Sequence, residues 1–352
     1  MTNPYNPSFG VVPNQMISRI SETEQVYSSF TSEYPSSNIY MITGIRGSGK
    51  TVFLSVLSDF FAFLKDWIVI KLNANDNLIS TLAERLRDQQ KSNAIRRKSK
   101  IEVSVTKFPF YEEGDNGENN DTYDEIAVMK ILENLQKKNK KVLVTIDDVS
   151  NSNNMRFFAS SFDIFISNNL PVFLLMTGLL ENIDFFLNSD NLTFLCRAPK
   201  IVMNPLNMSN IANSYRNTLH ISEEDAREMA LLTKGYPYAF QLLGHYTYNE
   251  NGYYKEAIPK CEEHLFSASY DKIWAELSVK DKEILYAMIN TDSRKVQDIR
   301  ETLGMAPNEF SPYRERLIRR GVIYAPERGT IAFSLPFFVD YVKDKEFYEK
   351  HL

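Results

Sequence analysis

A chain of 352 residues is long enough for two or three domains at roughly 100 to 200 residues each. Hydrophobic residues at 43% and charged residues at 24% are ordinary globular usage, which excludes wholesale disorder and a fibrous repeat. Forty Lys plus Arg against 45 Asp plus Glu give a formal net charge of −5, which argues against a basic nucleic-acid binder as a whole and leaves a local basic patch open.

Residues 1–37, rich in Pro, Ser and Asn, read as an arm with one short polar helix around Glu22 to Phe30. The apolar run Ile39 to Ile42 predicts a strand ending at Thr43-Gly44. A Gly-rich turn follows, and Val52, Phe53, Val56, Leu57 and Phe60 fall on one face of a helix from Lys50 to about Leu64. A second strand is predicted over Trp67 to Leu72, and a second helix from about Leu78 to Gln90 with Asn77 as its cap. The rhythm breaks over residues 91–122. A basic cluster (Lys91, Arg96, Arg97, Lys98, Lys100) leads into the alternating stretch Ile101 to Val105 and an acidic, Gly and Asn rich loop from Glu112 to Asp121. That segment is either an insertion touching a partner or substrate, or a solvated hairpin and loop.

From Tyr123 the alternation resumes with a helix to about Lys138, the strand Val142 to Ile146 ending in Asp147 and Asp148, a helix from about Asn154 to Ser167, and the strand Val172 to Thr177. A fifth strand is predicted at Ala198 to Met203. Continuous apolar strands alternating with helices indicate a parallel sheet covered on both faces. After Pro205 the pattern is helical only, through about Leu277, with Pro237 placed for a first helical turn. Helices then read over Val279 to Ile289, Val296 to Leu303 and Phe310 to Arg320. Two short strands, Val322 to Tyr324 and Thr330 to Phe333, flank a turn with Pro326 and Gly329. Three helices and a β-wing predict a winged helix-turn-helix.

The string Gly44-Ile45-Arg46-Gly47-Ser48-Gly49-Lys50-Thr51 matches G-x-x-x-x-G-K-[ST] between a strand and an amphipathic helix, the context that motif requires. Glycines let consecutive backbone N–H groups turn inward around a polyphosphate, and the helix N-terminus adds partial positive charge there. Residues 44–51, with Val52 after them, are the expected phosphate contacts. Lys50 would reach the β and γ phosphates, and the Thr51 hydroxyl would hold Mg²⁺. Asp147, at the carboxyl end of its strand, is the expected Mg²⁺ partner. Asp148 follows where an attacking water could be oriented, one methylene shorter than the Glu that many such hydrolases carry. Thr177 ends a neighbouring strand, where a polar side chain can sense the γ phosphate or position the water. Arg197 is either a contact to phosphate across a subunit interface or a surface arginine.

Two cysteines, Cys196 and Cys261, are too few for a disulfide scaffold or a four-ligand zinc site. Four histidines without i, i+4 spacing argue against a zinc hydrolase. The first residues carry no basic stretch leading into an apolar one, and no run of about 18 apolar residues occurs, so a soluble cytoplasmic protein without a membrane partner is expected.

These features together resemble the AAA+ and STAND-type P-loop ATPases, especially the group of archaeal-type ATPases and origin-recognition initiators. The resemblance runs from about residue 3 to 340. It includes the segment Asn3-Pro4-Tyr5-Asn6-Pro7-Ser8-Phe9-Gly10, similar to an arm that lies against adenine. Arg19 stands where that family commonly has Gly-Arg-Glu, here Ser18-Arg19-Ile20. Gly235-Tyr236-Pro237 is similar to the G-x-P element that sets a helical lid, through Pro237, against the nucleotide. The resemblance implies an α/β P-loop NTPase with a five-stranded parallel sheet in the order 5-1-4-3-2, a helical lid and a C-terminal winged helix-turn-helix. The implied parts are an arm over 1–37, an ATPase core over 38–205, a lid over 206–277 and the winged helix over 278–352.

It also implies ATP or ADP with Mg²⁺ as cofactors, and it is the resemblance alone that implies adenine over guanine; the sequence has no Asn-Lys-x-Asp guanine-reading motif. Phe310 to Gly321 is similar to the third helix of the family's winged module. If that helix enters a major groove, Ser311, Tyr313, Arg314 and Arg316 reach bases or phosphates while Arg328 on the wing tip grips backbone. Residues 268–352 carry equally many basic and acidic side chains, so a protein-binding wing is the other reading. The expected activity is a nucleotide-dependent switch with slow ATP hydrolysis, coupled to duplex DNA, a protein partner or further copies of the chain. The alternative is a DNA-binding or scaffold protein that keeps ATP or ADP as a structural ligand.

Overall fold

The structure is a computed structural model and describes residues 2–8, 10–98, 120–187, 192–291 and 293–351. Its first helix, α1 (Ile20–Thr31), precedes the alternating part: β1 (Ile39–Thr43), α2 (Lys50–Ala62), β2 (Trp67–Asn73), α3 (Leu78–Lys98), α4 (Asn120–Gln136), β3 (Lys141–Asp147), α5 (Asn153–Ser167), β4 (Val172–Gly178), α6 (Leu180–Leu187) and β5 (Lys200–Val202). The five strands form one parallel sheet in the order β2-β3-β4-β1-β5, the predicted order read from the other edge.

Side chains alternate between two cores, as the two-residue period of a strand requires. Ile39 and Met41, Val142, Val144 and Ile146, and Val172, Leu174 and Met176 face the core beneath α3 to α6. Tyr40 and Ile42, Leu143, and Phe173 and Leu175 face α1 and α2. On that second face Phe30 of α1 packs on Phe173 at 4.9 Å and Phe61 of α2 on Trp67 at 4.5 Å between ring centroids. Apolar strands covered on both sides are why the runs contain almost no polar residue.

In this part three elements differ from the sequence expectation. Helix α3 continues past Gln90 to Lys98, because residues 91–98 contain neither Gly nor Pro to stop it. The predicted alternation over 101–105 lies outside the described residues, as does the acidic loop up to residue 119. Helix α6 fills the turn after β4, and a short 3₁₀ turn (Thr193–Arg197) precedes β5.

The remainder comprises α7 (Met208–Leu219), α8 (Glu223–Thr233), α9 (Pro237–Asn249), α10 (Tyr254–Leu265), a π-helical turn (Phe266–Tyr270), α11 (Asp271–Ala275), α12 (Val279–Asn290), α13 (Val296–Thr302), α14 (Pro307–Arg319), β6 (Ile323–Tyr324), β7 (Ala332–Phe333) and α15 (Phe338–His351). β6 and β7 pair antiparallel as the wing. Helix α14 starts three residues before Phe310 because Pro307 occupies the first helical position, where its missing N–H costs nothing. Helix α15 was not expected: its buried residues Phe338, Tyr341 and Val342 cover only its first turns, so the periodic signal is short. One apolar cluster runs from Tyr5 through α7–α10 to Val342, without a break at residue 277. Among the described residues no helix is long and apolar enough to cross a membrane.

The arm is strapped across α9. Asn3 donates to the His245 carbonyl at 2.9 Å, the Asn6 N–H donates to Gln241 Oε1 at 3.0 Å, and Gln241 Nε2 donates to the Gln15 carbonyl at 2.7 Å. Tyr5, 1% exposed, lies flat against Gly244, where a Cβ would come within 2.6 Å of the ring.

Candidate functional site

Because β1 lies between β4 and β5 and β4 pairs with β3, the carboxyl ends of β1, β3 and β4 open side by side. Thr43 pairs with Gly178, and Ile146 with Met176. The loop leaving β1 therefore arrives beside Asp147 and Thr177, at the point where the order of strand connections reverses and such sheets place their ligands.

Residues 44–49 make that loop, and α2 starts at Lys50. Gly47 at φ 71° and Gly49 at φ 86° occupy left-handed conformations that side chains with a Cβ rarely adopt. Lys50 Nζ donates to the carbonyls of Gly44 and Ile45, both at 2.9 Å, and the Tyr236 hydroxyl donates to the Arg46 carbonyl at 2.8 Å. Burial pulls the Lys50 ammonium down to about 8, against an upward pull from Asp148 and Asp147. The Ser48 hydroxyl is buried in the loop without a partner.

Asp147 is half-buried and takes two hydroxyls. Thr51 donates to its Oδ2 at 2.8 Å and Thr177 donates to its Oδ1. Thr177 Oγ1 also accepts the Asp148 N–H at 2.9 Å. This fixes Asp148 at the strand end in a left-handed conformation, φ 53°, with an exposed side chain; Asp tolerates that conformation better than most residues.

The described residues fit a polyphosphate with a divalent cation. An orphaned buried hydroxyl, two left-handed glycines and a helix N-terminus meet at the loop. The Thr51 hydroxyl and the Asp147 carboxylate supply hard oxygen donors beside it.

Other predicted residues divide. Pro237, the first residue of α9, faces Gly49: a Cβ there would lie 3.9 Å from the Pro237 Cβ. Arg19 donates to the Asn204 carbonyl at 2.8 Å, next to Met203, whose Cβ would be 2.9 Å from one built on Gly44. Arg197 ends the 3₁₀ turn and is exposed. In the C-terminal helices, Arg316 does not reach outward as a groove contact would. Its guanidinium binds Asp281 at 3.1 and 2.7 Å and Ser278 at 2.7 Å, and Asp281 is fully buried. Ser311 bonds back to the Pro307 carbonyl at 2.8 Å, and Tyr313 lies under Arg316 at 5.0 Å. Arg314 is half-buried, while Arg328 is exposed on the turn of the wing.

Sequence reasoning gave no role to Tyr236, Glu276 or Gly321, yet all three meet the loop. Arg46 pairs with Glu276 at 2.6 Å. A Cβ on Gly321 would fall 1.9 Å from Ile45 Cγ2, so the end of α14 sits against the loop. Arg320, one residue before, binds Glu181 of α6 at 3.0 Å and the Glu276 carbonyl. The one available signal was the Tyr inside Gly235-Tyr236-Pro237, an aromatic with a polar tip at a turn that faces the ligand side.

Residues 267–342 match a family described as a domain of unknown function (DUF8462). None of the curated proteins matches the sequence. Among solved structures, the Walker-type ATPase PABY2304 of Pyrococcus abyssi is similar at a TM-score of 0.65 and 14% identity, covering 93% of this chain and 96% of that one. The ORC2 protein of Aeropyrum pernix in its ADP form is similar at a TM-score of 0.52 and 12% identity, covering 98% of both chains. At these identities the likeness is one of fold, and the chain has the fold of an AAA+ P-loop ATPase of the origin-recognition type.

Proposed function

We propose that the protein binds ATP with Mg²⁺ and works as a nucleotide-dependent switch with slow turnover, whose output passes through the C-terminal helices and wing to duplex DNA or a protein partner. The observation that carries this reading is the convergence of Thr51, Asp147 and Thr177 beside a loop whose first three carbonyls already have donors. Two similar structures support it by what they are called, one a Walker-type ATPase and the other an ADP form.

In this reading residues 44–52 hold the phosphates and Lys50 supplies their counter-charge. Thr51 and Asp147 hold Mg²⁺, which supplies neutralisation of phosphate charge when bound. Thr177 holds the Asp147 carboxylate and the Asp148 turn in place, and Asp148 orients water. Arg19 and Pro237 flank the nucleotide, and Arg197 serves a site on another copy of the chain. Ser311, Tyr313, Arg314 and Arg328 form the DNA-facing set, with Arg316 as their internal brace. The contact of Gly321 with Ile45 ties the loop to the end of α14, and Glu276, paired with Arg46, reaches the same end through the bond of Arg320 to its carbonyl.

The test is ATP turnover by the protein and by Asp148→Asn, with and without duplex DNA. Slow turnover that DNA accelerates and Asp148→Asn abolishes is the expected result. Tight ATP binding with no turnover under any condition makes the nucleotide a structural ligand that stabilises the fold by mass action.

A second expectation concerns protons. With its pKa near 8, about half of the Lys50 population is neutral at that pH, and arriving phosphate charge raises the pKa again. Binding should therefore take up roughly half a proton near pH 8 and almost none near pH 6, with affinity declining as pH rises above 8. Calorimetry in buffers of different ionisation enthalpy reads this directly. Equal uptake at both pH values would show that Lys50 is fully charged in the free protein. The sign for stability follows from the same shift. Between about 8 and 10.5 the unfolded chain holds more protons at this group, so the nucleotide-free fold gains stability from it as pH rises through that window.

A further inference from the structure

We infer that Tyr236 is a positioning residue of the phosphate loop: its hydroxyl, supplied from the turn before α9, holds the Arg46 carbonyl out of the anion cradle and keeps the loop in its binding shape before a ligand arrives. The inference rests on the polyphosphate reading of the loop and assigns a part of the site that the motif does not contain.

An anion cradle needs N–H groups facing in and carbonyls facing away. The peptide joining Arg46 to Gly47 is the place where this can fail. Gly47 has no Cβ and accepts either sign of φ at little cost, so that peptide can turn over and aim its oxygen at the anion. Lys50 secures the carbonyls of Gly44 and Ile45, both at 2.9 Å. The Arg46 carbonyl is secured instead by Tyr236, at 2.8 Å. Tyr236 is 3% exposed, so water does not compete for the bond, and burial raises its phenol well above the ordinary value, which keeps the hydroxyl protonated as a donor.

Two further contacts show that the hydroxyl is placed rather than merely accommodated. A Cβ on Gly47 would come within 2.1 Å of the Tyr236 oxygen, so the ring tip presses on the loop at its left-handed glycine. From the other side Ser269, in the π-helical turn, lies 3.2 Å from the same oxygen. With the phenol hydrogen donated to Arg46, Ser269 donates in turn and fixes the rotor. The Arg46 side chain is held as well, by Glu276 at 2.6 Å, so residue 46 is gripped at both backbone and side chain by segments that follow β5.

The experiment compares wild type with Tyr236→Phe and Ser269→Ala, titrating a fluorescent ADP, competing it with inorganic pyrophosphate, and recording thermal melts. Tyr236→Phe keeps the ring and removes the donor. It should weaken ADP and pyrophosphate alike by about five- to tenfold, the scale of one buried hydrogen bond. Ser269→Ala trims the other partner, leaves the bond to Arg46, and should change affinity by less than about twofold. Unchanged affinity in Tyr236→Phe overturns the inference. So does an equal loss in Ser269→Ala with an equal drop in melting temperature, which would mark Tyr236 as ordinary core. If wild type binds neither ADP nor pyrophosphate, the polyphosphate reading fails and takes the inference with it.

Discussion

Lys50→Ala should lose nucleotide binding by about a hundredfold or more while the protein melts no lower than wild type. The first half follows from removing a cation that would be hydrogen-bonded to phosphate in a site where it is largely shielded from water, a contact worth about 3 kcal/mol. The same substitution also releases the Gly44 and Ile45 carbonyls that Lys50 now holds. The second half follows from the lowered pKa of Lys50: its burial disfavours the charged form, so the free fold gains little from the ammonium. Titration of a fluorescent nucleotide, paired with a thermal melt, measures both. A variant that binds within about threefold of wild type would remove the loop from the site altogether.

Arg316→Met should destabilise the fold by about 2 to 3 kcal/mol, the largest stability effect expected from any residue read as a DNA contact. Its partner Asp281 is fully buried, and breaking a buried pair by taking one member costs about 3–5 kcal/mol. The value is set lower because Arg316 itself is 39% exposed and because Asp281 keeps its bonds to Ser278, with which it caps α12. Asp281→Asn in the same chain should recover part of the loss, since a neutral amide needs no counter-charge. Denaturant unfolding of the two single variants and the double variant gives the coupling. Losses that simply add would mean the pair contributes nothing.

The parts of the fold that were legible in the sequence are those where one short stretch carries its own signal. The four longer strands announced themselves as apolar runs because both sheet faces are covered. The loop over residues 44–49 did so because left-handed backbone at residues 47 and 49 demands glycine. Strand order came from resemblance, since β1 and β4 are separated by more than a hundred residues and no periodicity encodes their pairing. The place of Asp147 at the end of β3 was legible, while its bonds to Thr51 and Thr177 were not. The contacts of Tyr236, Glu276 and Gly321 were not, because each meets the loop across a separation of some 190 residues or more, and each alone reads as ordinary turn chemistry. Arg316 shows a contact that charge alone did not reveal: its helix position suggested a solvent-facing cation, and its guanidinium pairs with the buried Asp281, 35 positions upstream.

The strap of residues 3–15 over α9 also orders events during synthesis. Its acceptors, Gln241 and the His245 carbonyl, are translated some 240 residues after Asn3. At about 5–20 residues per second that is a wait of roughly ten to fifty seconds. By then every strand of the sheet has left the ribosome, and Tyr5 has had no groove to enter. Residues 3–15, made before the sheet, can thus dock only after it, and a nascent chain halted before α9 is complete would carry an assembled sheet with this segment still loose.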